Sequence, residues 1–427
     1  MTSPAPEDHA SSGPTRRSPP PRLTMEEAAL TVVRALQEAG HIAYFAGGCV
    51  RDMVMGQTPT DYDVATSAQP DQVSAILRRT RKVGAKFGVV LARISGHDIE
   101  IATFRRDLDY QDGRRPSAVE FTDAREDAIR RDFTINGMFY DPIRRELVDF
   151  VGGRADIEAR IIRAIGDPHR RFAEDHLRLL RAIRFAARFD YRIDPDTWSA
   201  MQRHAPQLVK ISPERIREEL DMMLSHRGRA RAFRDLRDSG VLRYLWPTAE
   251  RLLPRADEIL ALLSALPEDT GLELCLAIML LDYHDADVGE VCDALRCSND
   301  TRREITWLIQ HAPALDDPDR LTLADLKLLM ADRAFDRLVT LLAARLTATG
   351  QPMTAHQVLT ARIRAIDPAE VSPPPLLSGR DLSELGVPPG PLYKKVLDRV
   401  YYAQLNRDVA DRESALRMAR ELIASAI

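Results

Sequence analysis

Strand signals stop near Gly166. Before that point, short segments rich in β-branched and aromatic residues (HIAYFAGG, DYDVATS, FGVVLARI, DIEIATF) alternate with turns and with helical stretches such as PDQVSAILRRT. Beyond it, residues 174–189, 195–205, 213–225 and 227–239 carry apolar side chains at helical spacing, and the pattern continues to the C-terminus. A chain that places its strands early and its helices late divides into a small α/β or α+β head and a long all-α remainder. Its 427 residues suit roughly two to four domains at about 100–200 residues each. The expected divisions are a Pro/Ser/Thr-rich disordered tail at 1–22, a head at 23–165, a helical neck at 166–240, a helical body at 241–371, and a helical tail at 372–427 behind the break SPPPLLS. Within the head, residues 24–40 predict a helix with Thr24 as N-cap, Glu27 three residues later and Gly40 at its end.

No stretch approaches the roughly 18 apolar residues of a membrane span, and the N-terminus lacks the apolar segment of a signal peptide, so the chain is expected in the cytoplasm with no membrane partner. Cys49, Cys275, Cys292 and Cys297 have no CxxC spacing, which predicts reduced thiols, mostly in the core. A net charge of −4 excludes a globally basic nucleic-acid binder. A local basic face is still predicted, because residues 163–237 hold 17 Lys and Arg against 11 Asp and Glu. His284 and Asp285 in LAIMLLDYHDAD are adjacent, but no histidine lies between His226 and His284 to act as an earlier metal ligand; the stretch reads as a buried helix with a polar end.

Ala46 to Thr66, AGGCVRDMVMGQTPTDYDVAT, carries the chemistry. Gly47 and Gly48 after a strand allow the backbone to approach a ligand closely, and a helix starting at about Cys49 aims free N–H groups at an anion. Arg51, one turn in, adds a cationic fork suited to phosphate. Asp61 and Asp63 flank a single residue at the start of a strand, so period-two geometry puts both carboxylates on one face. Like charges held that close call for a divalent cation between them.

GGCVRDMVMG followed by DYD resembles motif A of the class II tRNA nucleotidyltransferases and bacterial poly(A) polymerases, a branch of the polymerase β-like nucleotidyltransferase superfamily. Three later stretches agree in the same order. DIEIATFRRDLDYQDGRRP (Asp98–Pro116) is similar to the family's strand and flexible loop, REDAIRRDFTING (Arg125–Gly137) to its RRDFT-x-N motif, and AEDHLRLLRAIRFAARF (Ala173–Phe189) to its EDxxRxxRxxRF nucleotide-recognition helix. The resemblance implies a polymerase β-like head and template-independent addition of CCA to the 3′ end of tRNA from CTP and ATP. It implies two magnesium ions (Mg2+) on Asp61 and Asp63, and no obligate protein partner. Glu100 on DIEIATF is the candidate third carboxylate. The family pattern makes Arg131 the triphosphate contact, with Asp132 its internal partner.

On the helix from Glu174, Leu179, Leu180, Ile183 and Ala187 share one arc while Arg178, Arg181, Arg184 and Arg188 fill another, with Asp175 at its border. Four arginines on one face repel one another, and a bound polyanion would relieve that. Asp175 and Arg178, three apart, are expected side by side. A carboxylate and a guanidinium complement the amino donor and ring-nitrogen acceptor that cytosine and adenine share, and guanine and uracil reverse that pattern. In the family such a pair selects CTP and ATP without a template. The rivals are a poly(A) polymerase, an enzyme adding only A or only CC, and a catalytically inactive RNA-binding protein.

Overall fold

The computed structural model describes residues 23–84, 87–110, 116–388 and 390–426, so the expected 1–22 tail and residues 111–115 of the expected flexible loop lie outside the described residues. The chain forms two compact units. The first comprises residues 23–109 and 116–159, and the second continues from 160 to the end.

The first unit opens with α1 (Met25–Glu38), started by the predicted capping box: Thr24 Oγ1 accepts from Glu27 N at 3.2 Å and Glu27 Oε2 accepts from Thr24 N at 2.8 Å. Ala28, Ala29, Val32, Val33 and Leu36 form its buried stripe. The strands are β1 (Ala43–Ala46), β2 (Asp63–Thr66), β3 (Thr80–Gly84), β4 (Val89–Ile94), β5 (His97–Thr103), β6 (Arg105–Tyr110), β7 (Pro116–Phe121), β8 (Phe139–Asp141) and β9 (Glu146–Val148). Seven make one mixed sheet in the order β3-β4-β5-β2-β1-β8-β9, and β6 pairs with β7 in a separate ribbon. The four expected strands form the centre of the large sheet. Of the strands not expected, β3, β8 and β9 lie at its margins, where TRKVG is polar and β8 and β9 have three residues each, while the ribbon strands β6 and β7 take up the described part of the expected flexible loop. The remaining helices of this unit are α2 (Gly48–Val54), α3 (Pro70–Ile76), α4 (Ala124–Ile129) and α5 (Gly153–Glu158). Ala124 and Ala128 of α4 close over Ala46, Ala65, Phe104 and Phe139 in one buried cluster.

The second unit starts with α6 (Pro168–Glu174), α7 (Arg178–Phe189), α8 (Pro195–His204), α9 (Pro213–Leu224) and α10 (Arg229–Asp238), and further helices follow to the C-terminus. One feature corrects the expectation that strands end at Gly166: β10 (Ile161–Ile162) pairs in parallel with β11 (Arg192–Ile193). A second correction concerns 174–189, which is two helices; Asp175, at φ −147° and ψ 104°, is extended and separates them. The helix Leu272–Met279 buries every residue but Glu273, as LAIMLL predicts, but it stops at Met279, so the polar end expected of the same helix lies beyond it, with His284 as N-cap of the next helix, Asp285–Ala294. Leu377, at the end of SPPPLLS, and Leu382, Val396, Val400, Ala403, Val409, Ala415 and Ala419 beyond it form a separate apolar cluster. All four cysteines are free, three of them buried and Cys297 half-buried. Among the described residues no helix is long and apolar enough to cross a membrane.

Candidate active site

Strand register builds the site. Tyr62 turns inward, 3% exposed and edge-on to Phe45 with ring centroids 5.1 Å apart, so Asp61 and Asp63 on either side of it are left exposed. β1 and β2 run antiparallel with Ala46 opposite Asp63, which places the end of β1 and the turn that follows it beside this carboxylate. β2 and β5 run parallel with Val64 beside Ile101, so Asp63 and Glu100 are the preceding pair on the same face. The result is a cleft of about 260 Å³ lined by Ala46, Ala65 and Ala102, by Asp63 and Glu100, and by Arg105, Arg130 and Arg131. Small side chains leave the face open, and charged ones ring it.

The Asp63 carboxyl is pushed up to about 6 by desolvation against the sheet, then by the charges of Glu100 and Asp61, while Arg131 draws it down. That crowding is what a divalent cation relieves. Among the described residues no group of three or more His, Cys, Asp or Glu is placed to hold a metal ion by itself. Two carboxylates supplemented by oxygens of substrate and water are nonetheless the usual protein contribution to a magnesium site, and the donor set fits one.

Gly47 is at φ +73° and ψ −130°, outside the conformations open to other residues, and a Cβ there would sit 3.3 Å from Arg131 Nη1 and 3.9 Å from Asp63 Oδ2. α2 starts at Gly48, one residue earlier than expected. Arg51 is 5% exposed and is committed inside the protein. Its Nε donates to Asp52 Oδ1 at 2.8 Å and its Nη1 to Asn136 Oδ1 at 2.8 Å. Asn136 in turn donates from Nδ2 to Asp132 Oδ1 at 3.2 Å. Arg51 therefore braces the RDFTIN turn, a role its spacing alone does not reveal.

Arg131 corrects a second expectation. Its carboxylate partner is Asp127, whose Oδ2 accepts from Arg131 Nε at 3.2 Å and Nη2 at 3.0 Å; Asp132 instead accepts from Phe133 N and Asn136 Nδ2. The guanidinium lies over the Phe139 ring at 5.0 Å and donates to Asn136 O at 3.4 Å. Asp127 was not among the sequence candidates, although its spacing of three and four from Arg130 and Arg131, which follow the end of α4, was a readable signal.

In the second unit Asp175 and Arg178 do not bond each other through their side chains, and each has its own partner. Asp175 follows the last residue of α6, and both its oxygens are held by Arg215 of α9, at 3.2 Å to Nη1 and 2.8 Å to Nη2. Arg178 is 8% exposed and donates from Nη1 to Glu174 Oε2 and to Arg171 O, each at 3.0 Å. The arginine face also has internal acids: Arg184 Nε donates to Glu219 Oε2 at 2.6 Å, and Arg181 Nη1 lies 3.7 Å from Glu219 Oε1. Arg188 is exposed, its guanidinium 5.3 Å from the Phe189 ring. Charge repulsion along α7 is thus offset largely within the protein, by Glu174 and Glu219, before any bound polyanion adds to it. Arg215 and Glu219 carried no sequence signal, since their partners lie 35 to 40 residues away.

Comparison with known proteins agrees with this geometry. The family model described as "Poly A polymerase head domain" matches residues 43–163, and "Probable RNA and SrmB- binding site of polymerase A" matches residues 190–253. The CCA-adding enzyme of Geobacillus stearothermophilus is 33% identical over 393 residues, covering 91% of this chain and 95% of that protein. The CCA-adding enzyme of Limosilactobacillus reuteri (strain DSM 20016) is 30% identical over 407 residues, with the same coverage. Among solved structures, the Bacillus stearothermophilus CCA-adding enzyme in complex with CTP superposes with a TM-score of 0.78 at 30% identity, over 94% of this chain and 98% of that one. Likeness of this extent, running through the carboxylate face, the RRDFT turn and the helices beyond them, shows that the chain belongs to the family of CCA-adding enzymes, the tRNA nucleotidyltransferases.

Proposed function

We propose that this chain adds C, C and A in turn to the 3′ end of tRNA, using CTP and ATP, releasing pyrophosphate and copying no template. The observation that carries the reading is the open sheet face on which Asp63 and Glu100 are register neighbours, Asp61 stands two residues before, and Arg131 lines the same cleft. Nucleotidyl transfer needs positioning and charge neutralisation more than it needs covalent help. Asp61 and Asp63 would hold the divalent cations, and we take these to be magnesium; when bound they supply neutralisation of phosphate charge and activation of the attacking hydroxyl. Glu100 adds to the negative field that draws cations to the face. Arg131 binds and orients the triphosphate, Gly47 and Gly48 let the backbone approach it, and Arg51 holds the turn that carries Asn136.

Base selection falls to Asp175 and Arg178, with Arg181 and Arg184 of α7 in support. Asp175 accepts from the amino group of cytosine or adenine, and Arg178 donates to the adjacent ring nitrogen. Guanine and uracil would leave these groups facing their own kind, a penalty that rejects them. The second unit is read as neck (166–240), body (241–371) and tail (372–427), supported by the RNA-binding model match and by the separate apolar cluster that starts at the end of SPPPLLS. Free thiols and a tRNA substrate support a cytoplasmic site of action.

The test is to incubate the protein with tRNA lacking its last three nucleotides and with each labelled nucleoside triphosphate in turn, then with CTP and ATP together. CMP alone should be added twice, AMP should follow only after it, and UMP and GMP should be refused. AMP addition without CMP would mark an A-adding enzyme or a poly(A) polymerase, two CMP additions with no AMP after them a CC-adding enzyme, and no addition at all an RNA-binding protein.

A further inference from the structure

Asp127 is 1% exposed, and its two oxygens are divided between two arginines. Oδ1 accepts from Arg130 Nε at 2.8 Å, and Oδ2 accepts from Arg131 Nε and Nη2. Oδ1 also accepts from the backbone N of Arg105 at 3.2 Å, where β5 passes into β6. Burial alone would raise this carboxyl, but the guanidiniums of Arg130 and Arg131 outweigh it and hold the group below its ordinary range, so it stays charged. The network reaches further along β6, because Arg130 Nη1 stands 3.9 Å from Asp107 Oδ2 and Arg105 Nε stands 3.2 Å from Asp107 Oδ1.

Arg131 is therefore fixed from several directions. Asp127 takes two of its nitrogens, Asn136 O a third, and the Phe139 ring lies against its plane. A side chain at Gly47 would crowd Nη1, its Cβ only 3.3 Å away. A long flexible cation held this way faces the cleft of Asp63 and Glu100 already oriented, so little freedom is left to lose when an anion arrives.

We infer that Asp127 is a positioning residue for nucleotide binding: it sets the Arg131 guanidinium at the cleft and ties that setting, through Arg130 and Asp107, to strand β6. The inference rests on the reading of Arg131 as the triphosphate contact. It makes a distinction that a merely structural buried aspartate would not make. Disturbing Asp127 should weaken binding of the β- and γ-phosphates and leave binding of the base and sugar intact.

The experiment measures equilibrium binding of CTP and of CMP to the full chain and its variants, together with KM and kcat for CMP addition. Asp127→Asn should lower CTP affinity by about tenfold, the low end of what one hydrogen bond to a charged group is worth. CMP affinity should hold within about twofold, and KM should move more than kcat. Asp107→Asn should shift CTP affinity in the same direction by about threefold. In an Arg131→Ala background Asp127→Asn should have little further effect, because the two act on one contact. Equal loss of CTP and CMP binding, or full additivity of the double variant, overturns the inference. If Arg131→Ala erases the preference for CTP over CMP while Asp127→Asn leaves it untouched, the inference alone fails. If Arg131→Ala leaves that preference intact, the triphosphate reading fails and takes the inference with it. Should Asp127→Asn not fold, Asp107→Asn decides, and a change that is equal for the two nucleotides, or no change, overturns the coupling.

Discussion

Gly47 shows how one residue serves two purposes. Its φ of +73° with ψ of −130° is strained for any residue with a Cβ, at a cost of about 1–3 kcal/mol, and the same Cβ would press on Arg131 Nη1. Gly48 differs, since a Cβ there meets nothing nearer than Arg51 Nη2 at 3.6 Å, an ordinary contact. Gly47→Ala should therefore raise the KM for CTP by about tenfold or more, whereas Gly48→Ala should change it by less than about threefold. Steady-state kinetics on both variants checks this, and equal effects would show that backbone strain and the space for Arg131 are not what Gly47 provides. The sequence made the pair of glycines legible as a close-approach turn. It did not say which of them required glycine, because that depends on the place of a guanidinium 84 residues along the chain.

At the scale of elements, the junction of α6 and α7 is the most informative. Residues 174–189 have the composition of one continuous helix, and local propensity would carry it through Asp175. A tertiary contact overrides that preference: Arg215 grips both oxygens of Asp175, while the Asp175 side chain accepts from Leu177 N at 3.1 Å and caps the following turn. Arg215 and Glu219 are one turn apart on α9, so a single helix face orders both Asp175 and the arginines Arg181 and Arg184. If Asp175 reads the base from this fixed position, Asp175→Ala should raise misincorporation of UMP and GMP relative to CMP by about tenfold to a hundredfold. Arg215→Ala should loosen selection in the same direction although the arginine need not touch the base. The measurement is kcat/KM for all four nucleoside triphosphates. Proportional loss for all four in Asp175→Ala would make the residue structural and contradict its role in base selection.

Over the whole molecule, what could be read from the sequence was what short-range geometry dictates. Period two in DYD placed Asp61 and Asp63 outward around a buried Tyr62, and the capping box at Thr24 and Glu27 started α1 where expected. The pairings that hold the site in place were not readable, because Arg51 with Asn136 and Asp175 with Arg215 join residues 85 and 40 positions apart. Such partners follow from sheet register and helix packing, which the sequence pattern does not specify. The central claim is that the outward carboxylates Asp61 and Asp63, at the entry to β2, serve the chemistry and not the fold, and Asp63→Asn tests it directly. Asp63 is exposed and crowded by Glu100 and Asp61, so an amide of the same shape removes a proposed metal ligand and also relieves like-charge repulsion. The account predicts that single-turnover addition of CMP to tRNA lacking its CCA end falls by roughly two to three orders of magnitude while the Tm measured without divalent cations does not fall. Near-normal turnover, or a loss of activity that merely follows a lowered Tm, would contradict it.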